Sequence, residues 1–315
     1  MSLNVALQMD PLEGIDTQGD SSFVLGLEAQ KRGYTLFHYL PTQLVYDEGQ
    51  IFTYAQEINL HHREVPHFTI KKASARLALE HFDVVLMRQD PPFDMQYIAA
   101  THLLEQVHPR PFVTNHPAHV RNAPEKLLVT EFSQFMPPTM ITHQLGEARR
   151  FREKHKDIIV KPLFGNGGAG VFHIKPGDEN LSALFESHQA VSREPLMIQR
   201  YLPEIRKGDK RIILVDGEPI GAINRIPAQG EARANVHAGG CADAGELTQR
   251  DRDVCSALKS TLQERDLIFV GIDMIGEYLT EINVTSPTCL QELERFSGVN
   301  GAALIWDAIE RRLGF

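Results

Sequence analysis

The chain has 315 residues, enough for two or three packed units rather than one small core. Its 42% hydrophobic and 23% charged residues are the composition of an ordinary globular protein, and a formal net charge of -9 gives no general reason to bind nucleic acid or an anionic membrane. An anionic ligand must therefore be held by local basic residues. In chain order, 3–9 predicts a short buried strand that stops at Asp10-Pro11. Asp20-Ser21-Ser22 supplies caps for a helix through Arg32, and Gly33 suits its end. A second strand follows at 34–39, and this β-α-β opening implies a parallel sheet layered with helices. Residues 44–70 predict short strands and turns, with 44–46 and 51–54 flanking Asp47-Glu48-Gly49. A buried strand at 83–88 is broken by Asp90-Pro91-Pro92. A helix over 97–107 and a strand at 112–114 complete the first unit, and 115–124 reads as a connection.

Beyond it the order changes. Helices near 125–133 and 146–155 precede a strand at 157–162, a glycine-rich loop, a strand at 171–174, a helix at 180–188 and a strand at 196–200. Strands at 211–215 and 219–225 form a hairpin around Asp216-Gly217-Glu218. The Gly- and Ala-rich stretch 226–246 reads as a long loop, of a kind uncommon unless functional or disordered. A helix at 248–264, strands at 267–275 and 278–284 and a helix at 299–312 end the chain.

Three motifs carry chemistry. In Lys161-Pro162-Leu163-Phe164-Gly165-Asn166-Gly167-Gly168-Ala169-Gly170 a strand ends at a lysine, a glycine-rich turn follows, and a second strand returns. Glycines let backbone N–H groups approach phosphate oxygens, and Lys161 adds a charge beside them. The loop lacks the Gly-Lys-Ser/Thr ending of a Walker A motif and leads into a strand, unlike a dinucleotide fingerprint. Alone, such a glycine cluster is equally an ordinary hairpin. In the second motif, strand alternation puts Glu281 and Asn283 on one face, and pairing across Gly276-Glu277 brings Asp273 beside Glu281. Two carboxylates and an amide oxygen suit Mg²⁺, and without a cation their repulsion would be costly. Third, Arg211 in Gly208-Asp209-Lys210-Arg211 and Arg225 on the next strand suit a forked clamp for phosphate or carboxylate, although alone basic residues at strand ends are more often solvated. Arg88 follows its apolar strand at the position where ligands bind in α/β layers, although a surface salt bridge is the commoner fate of such a residue.

Rival chemistries find little support. No Gly-x-Ser-x-Gly elbow or His-Glu-x-x-His helix occurs, and His61, His62 and His67 lack a matching Cys/Asp pattern. Cys241, Cys255 and Cys289 are odd in number and widely spaced, which argues against a disulfide scaffold or zinc site. With no signal-peptide pattern and no apolar run near the roughly 20 residues of a spanning helix, a cytoplasmic location is expected.

In this order the three motifs resemble the ATP-grasp superfamily. Arg88-Gln89-Asp90-Pro91-Pro92-Phe93-Asp94, Arg121-Asn122-Ala123-Pro124-Glu125-Lys126, Gln199-Arg200-Tyr201-Leu202-Pro203, Gly208-Asp209-Lys210-Arg211 and Thr280-Glu281-Ile282-Asn283-Val284-Thr285-Ser286-Pro287-Thr288 narrow the resemblance to the bacterial glutathione synthetase family, over about 3–312. The resemblance implies an α/β (α+β) ATP-grasp fold in three units: 1–122 on the substrate side, 123–200 with the glycine-rich loop, and 201–315 with the metal and substrate site. It implies ligation of γ-glutamylcysteine to glycine with ATP as substrate, aided by two Mg²⁺ ions or alternatively Mn²⁺. By the same resemblance Lys126, Lys161, Gly165, Gly167, Gly168, Gln199, Tyr201, Leu202 and Asp209 contact ATP, and Asp273, Glu281 and Asn283 hold the metal. Arg211 and Lys161 act in catalysis. Arg88, Arg225, Arg233, Gly239, Gly240, Ser286 and Pro287 border the substrates. A homo-oligomer, tetramer or dimer, is expected. Phe164, Asn166 and Arg200 depart from the residues common in the family. Another ATP-grasp ligase, adding glutamate or D-alanine, and a non-catalytic ATP-binding protein remain the alternatives.

Overall fold

A computed structural model describes residues 2–62, 65–228 and 241–315. The chain opens with strand β1 (Asn4–Gln8), helix α1 (Ser21–Lys31) and β2 (Thr35–Tyr39). Asp20 caps α1 by accepting a hydrogen bond from the Phe23 amide, as its sequence position suggests. Next come β3 (Val45–Asp47), β4 (Gln50–Leu60), β5 (Phe68–Ala78) and β6 (Val84–Met87), then α2 (Met95–Val107), β7 (Phe112–Thr114), α3 (Pro117–Arg121) and α4 (Glu125–Leu128). These strands form a seven-stranded sheet ordered β3-β4-β2-β1-β6-β7, with β5 on β4. Its centre, β2-β1-β6-β7, is parallel, and an antiparallel extension of β3, β4 and β5 continues one edge.

That extension differs from the short strands expected over 44–70, since β4 and β5 are eleven residues each. β5 is exposed along most of its length and carries Lys71, Lys72 and Arg76, charges that guard a sheet edge but leave no apolar alternation to read.

A four-stranded sheet follows, ordered β10-β9-β11-β8, from β8 (Thr139–Thr142), α5 (Leu145–His155), β9 (Ile158–Pro162), β10 (Phe172–Ile174), α6 (Leu181–Val191) and β11 (Leu196–Arg200). The expected helix over 125–133 is α4 followed by a 3-10 stretch broken at Phe132. The last sheet is antiparallel, ordered β14-β13-β12-β15-β16, from β12 (Asp209–Val215), β13 (Glu218–Ile226), β14 (Cys241–Gly245), β15 (Phe269–Ile275) and β16 (Tyr278–Asn283). β14 falls inside the stretch expected to be loop; its small, exposed residues carry no strand pattern, and pairing with β13 alone defines it. Helices α7 (Gln249–Glu264), α8 (Leu290–Ser297) and α9 (Gly301–Leu313) complete the fold.

The chain ends return to its beginning. The buried Trp306 indole donates to the Leu25 carbonyl at 2.9 Å, and Arg32 bonds Asp307 and Glu310 at 2.8 Å, so α9 is bound to α1. One apolar core therefore runs from Leu7 and Leu36 of the first sheet to Ile213 of the last and Ile309 of α9. Among the described residues no helix is long and apolar enough to cross a membrane.

Candidate active site

A cavity of about 770 Å³ lies between the three sheets. Arg88 and the 9–21 loop face it from the first, Lys161, Gln199 and the glycine loop from the second, and Asp209, Arg211, Arg225, Asp273, Glu281 and Asn283 from the third. The antiparallel register sets that last group. Asp273 stands opposite both Arg211 and Glu281, and Asp209 stands opposite Arg225. Strand alternation then turns these side chains to the same face.

The result is a buried, charge-matched lattice. Arg211 grips Asp273 with two bonds, Nε to Oδ1 at 2.5 Å and Nη2 to Oδ2 at 3.0 Å. Arg225 Nη2 bridges Asp209 Oδ2 at 2.5 Å and Asp273 Oδ1 at 3.0 Å. Burial raises the Asp273 carboxyl, but Arg211 and Arg225 outweigh it and hold the group below the usual carboxylate range. Asp209 goes the other way. Burial, with the nearby Asp273 charge, pushes it up to about 7 against the pull of Arg225, and its Oδ1 has no hydrogen-bond partner among the described residues. The two arginines expected to clamp a phosphate or carboxylate here converge on a carboxylate of the protein itself, Asp273.

Glu281 is held from the other side. Lys161 Nζ donates to its Oε1 at 3.1 Å and Lys126 Nζ lies 3.6 Å from the same atom. Burial raises the Glu281 carboxyl, yet the two lysines outweigh it and leave it lowered. Lys126 also donates to Glu125 and, at 2.5 Å, to the Gly165 carbonyl, so it ties the glycine loop to this lattice. Burial and the neighbouring Glu281 push the Glu125 carboxyl up to about 7.

The glycine loop behaves as its composition suggests. Gly167, Gly168 and Gly170 have φ of +60°, +80° and +70°, a region costly for residues with a Cβ. Phe164 stacks on Phe93 at 6.1 Å and joins the loop to the first unit by an apolar contact. The buried Gln199 donates to Thr139 Oγ1 at 3.0 Å, Tyr201 stacks on His173 at 4.0 Å, and Leu202 is buried beside them. All three line the cavity. Arg200 donates to the Tyr278 hydroxyl at 2.9 Å.

Arg88 is buried rather than exposed in a surface salt bridge. It donates to Ser22 Oγ at 3.0 Å and to the Pro287 carbonyl at 2.8 Å, while Ser286 Oγ donates to the Arg88 carbonyl at 3.3 Å. The structure thus gathers every sequence-predicted site residue it describes around one cavity. Arg233, Gly239 and Gly240 lie outside the described residues.

Three contributors escaped the sequence reading. Asn115, in the expected connection, donates to the carbonyls of Phe269 and Val284 at 2.7 and 2.9 Å and accepts from the Phe269 amide at 2.9 Å, which aligns β15 and the end of β16. Glu125 neutralises Lys126. Cys289, in the left-handed conformation before α8, is buried against the cavity, and burial raises its thiol. Only Asn115 gave a signal, a polar residue directly after an apolar strand.

The donor set decides what fits here. Among the described residues no group of three or more His, Cys, Asp or Glu side chains gathers as a metal site. Asp273 and Glu281 contribute two carboxylates, and Asn283 Nδ2 sits 3.3 Å from Asp273 Oδ2, which brings an amide to the same place. Such hard-oxygen donors fit a magnesium ion whose remaining ligands come from nucleotide phosphates. Asp273 already accepts from Arg211 twice, from Arg225 and from Asn283, so a metal ion bound there would take the place of one of these donors.

Solved structures with this architecture are ATP-grasp ligases and their relatives. A D-cycloserine synthetase matches with a TM-score of 0.70 at 15% identity, covering 98% of this chain and 99% of that one. D-alanyl-alanine synthetase A from Vibrio cholerae matches with a TM-score of 0.63 at 13% identity, over 100% and 99%. The fold is therefore that of the ATP-grasp ligases. The family models for the prokaryotic glutathione synthetase N-terminal domain and ATP-grasp domain match residues 3–121 and 125–298. The glutathione synthetase of Agrobacterium fabrum is 53% identical over 309 residues, 98% of this chain and 97% of the relative, and that of Brucella melitensis is 51% identical over 312 residues, 99% and 100%. The chain belongs to the prokaryotic glutathione synthetase family.

Proposed function

We propose that the chain ligates γ-glutamylcysteine to glycine with ATP, through an acyl phosphate on the cysteinyl carboxylate, and releases glutathione, ADP and phosphate. The observation that carries this reading is the buried lattice of Arg211, Arg225, Asp273, Lys126, Lys161 and Glu281 on one wall of a cavity shared with a glycine-rich loop. A carboxylate is a poor electrophile at neutral pH, and phosphorylation gives it a leaving group. The chain's task is then positioning and charge stabilisation, with no protein nucleophile.

On this reading Lys126, Lys161 and the amides of Gly165, Gly167 and Gly168 hold the ATP phosphates, and Gln199, Tyr201 and Leu202 receive the adenine, with Asp209 beside the nucleotide. Arg211 shares its guanidinium between Asp273 and the transferring phosphoryl oxygens. Arg88, Arg225, Ser286 and Pro287 border the dipeptide, together with Arg233, Gly239 and Gly240. Asp273, Glu281 and Asn283 would hold Mg²⁺, as two ions and replaceable by Mn²⁺, which when bound neutralises phosphate charge. The division at 1–122, 123–200 and 201–315, a homo-oligomeric state of two or four chains and a cytoplasmic location belong to the same proposal.

A coupled ADP-release assay with γ-glutamylcysteine tests it. ADP release that requires glycine is expected; release with glycine omitted, or none with both substrates present, would overturn the reading.

A further inference from the structure

The segment that leaves β11 is held residue by residue, and the hold on Tyr201 uses side chains with no other part in the site. Gln199 bonds Thr139 of β8, and Arg200 bonds Tyr278 of β16. Tyr201 is held from the β9-β10 side of its sheet. Its amide donates to the Asp157 carbonyl at 2.9 Å, and its ring lies on the His173 imidazole, with centroids 4.0 Å apart and planes 19° from parallel. Asp157 completes the unit, since its Oδ1 accepts from His173 Nε2 at 2.6 Å. One residue therefore fixes both the backbone of Tyr201 and the ring beneath it.

Strand register shows which way His173 points. Thr139, Gln199, Ile159 and His173 stand opposite one another across β8, β11, β9 and β10, and such partners share a face. Gln199 and Ile159 line the cavity, whereas Ile158, Val160 and Ile174 face the core under α5 and α6. His173 ends the cavity-facing row just outside the cavity lining, behind Tyr201, which is part of that lining. Its side chain is only 12% exposed. A histidine that merely tied the three-residue β10 to the start of β9 would need the bond to Asp157 but no partner for its ring. The stacked tyrosine goes beyond that role.

We infer that His173, oriented by Asp157, is a positioning residue for the nucleotide: it fixes the Tyr201 ring and so the shape of the slot that takes the adenine. The inference rests on the function proposed above, in which Gln199, Tyr201 and Leu202 receive that base. A tyrosine ring left to turn between rotamers would have to be ordered by each incoming nucleotide, and fixing it in advance removes that cost. The phosphates are held by other residues, so the gain falls on binding and not on the chemical step. Its kinetic signature is a change in the ATP KM at constant kcat.

Two substitutions separate the ring from the hydrogen bond. His173→Gln keeps a donor for Asp157 and removes the ring. The ATP KM is expected to rise about three- to tenfold, the size of one aromatic pair, with kcat and the KM values for γ-glutamylcysteine and glycine unchanged. His173→Phe keeps a ring and should hold the ATP KM within about twofold of wild type. In a Tyr201→Ala background His173→Gln should add less than about twofold, because the residue it acts through is gone. Thermal unfolding checks that each variant folds, and His173→Leu, with the same rise expected, replaces the glutamine variant if that one does not. An ATP KM unmoved by loss of the ring, a matching fall in kcat or rise in the other KM values, a phenylalanine variant as impaired as the glutamine one, or penalties at 173 and 201 that multiply would each overturn the assignment. Absence of glycine-dependent ligation by the wild type would overturn the proposed function and this inference with it; ligation with any of the preceding results overturns the inference alone.

Discussion

Replacing Asp273 with asparagine separates two physical pictures of the site. If the acidic pair on β15 and β16 repels and waits for a metal, removing one charge should stabilise the metal-free protein. The structure predicts the opposite. Four buried or largely buried carboxyl groups, Asp209, Asp273, Glu281 and Glu125, face four cations, Arg211, Arg225, Lys126 and Lys161, and with Asp209 and Glu125 each pushed up to about 7 the negative charge does not exceed the positive. Asparagine keeps the shape of Asp273 but withdraws the partner of two guanidinium groups. Losing one member of a buried ion pair costs about 3–5 kcal/mol. Asp209 offsets part of this, since the Asp273 charge helps to hold its carboxyl up near 7 and its ionisation becomes easier when that charge goes. We therefore expect the lower end, about 3 kcal/mol, which at roughly 2 °C per kcal/mol for a long chain is a fall on the order of 6 °C in Tm. The assay is thermal unfolding at pH 7.5 with chelator and no nucleotide. A Tm equal to or above that of the wild type refutes the charge-matched lattice.

Three further outcomes follow from other parts of the structure. Asn115→Ala leaves two carbonyls and one amide without partners behind β15 and β16, and should cost about 2–4 kcal/mol, read in denaturant unfolding, with a matching loss of ligation rate. Gly208→Ala puts a Cβ 2.0 Å from Asn224 Oδ1 at φ +127°, so about 2–3 kcal/mol should be lost, measurable as a lower Tm even with nucleotide present. His108 provides a pH test. Burial, with the neighbouring His116, lowers its imidazole to about 4, while an unfolded histidine titrates near 6.5. The folded state therefore binds fewer protons between these values, and its contribution, complete above pH 6.5, is lost as the pH falls toward 4. The drop in Tm from pH 7 to pH 5 should shrink in His108→Asn; an unchanged drop would assign the acid sensitivity elsewhere.

The sequence by itself determined what depends on neighbours in the chain. The cap at Asp20, the apolar run of β6, the glycine loop after Lys161 and the alternation that puts Glu281 and Asn283 on one face all follow from spacing, because backbone geometry repeats over two to four residues. The turn at Gly276-Glu277 even placed Asp273 beside Glu281. Elements whose pattern is not apolar, such as β5 and β14, left no such trace and exist through their pairing partners. What only the tertiary structure decided is how the charges are matched. Arg211 meets Asp273 across 62 positions, Lys161 meets Glu281 across 120, and Arg88 meets Pro287 across 199. Periodicity identifies a charged residue's face but not its counter-charge, since that depends on which sheets the core presses together. The acidic pair of Asp273 and Glu281, placed side by side by spacing alone, meets its arginine and lysine partners only in the folded chain.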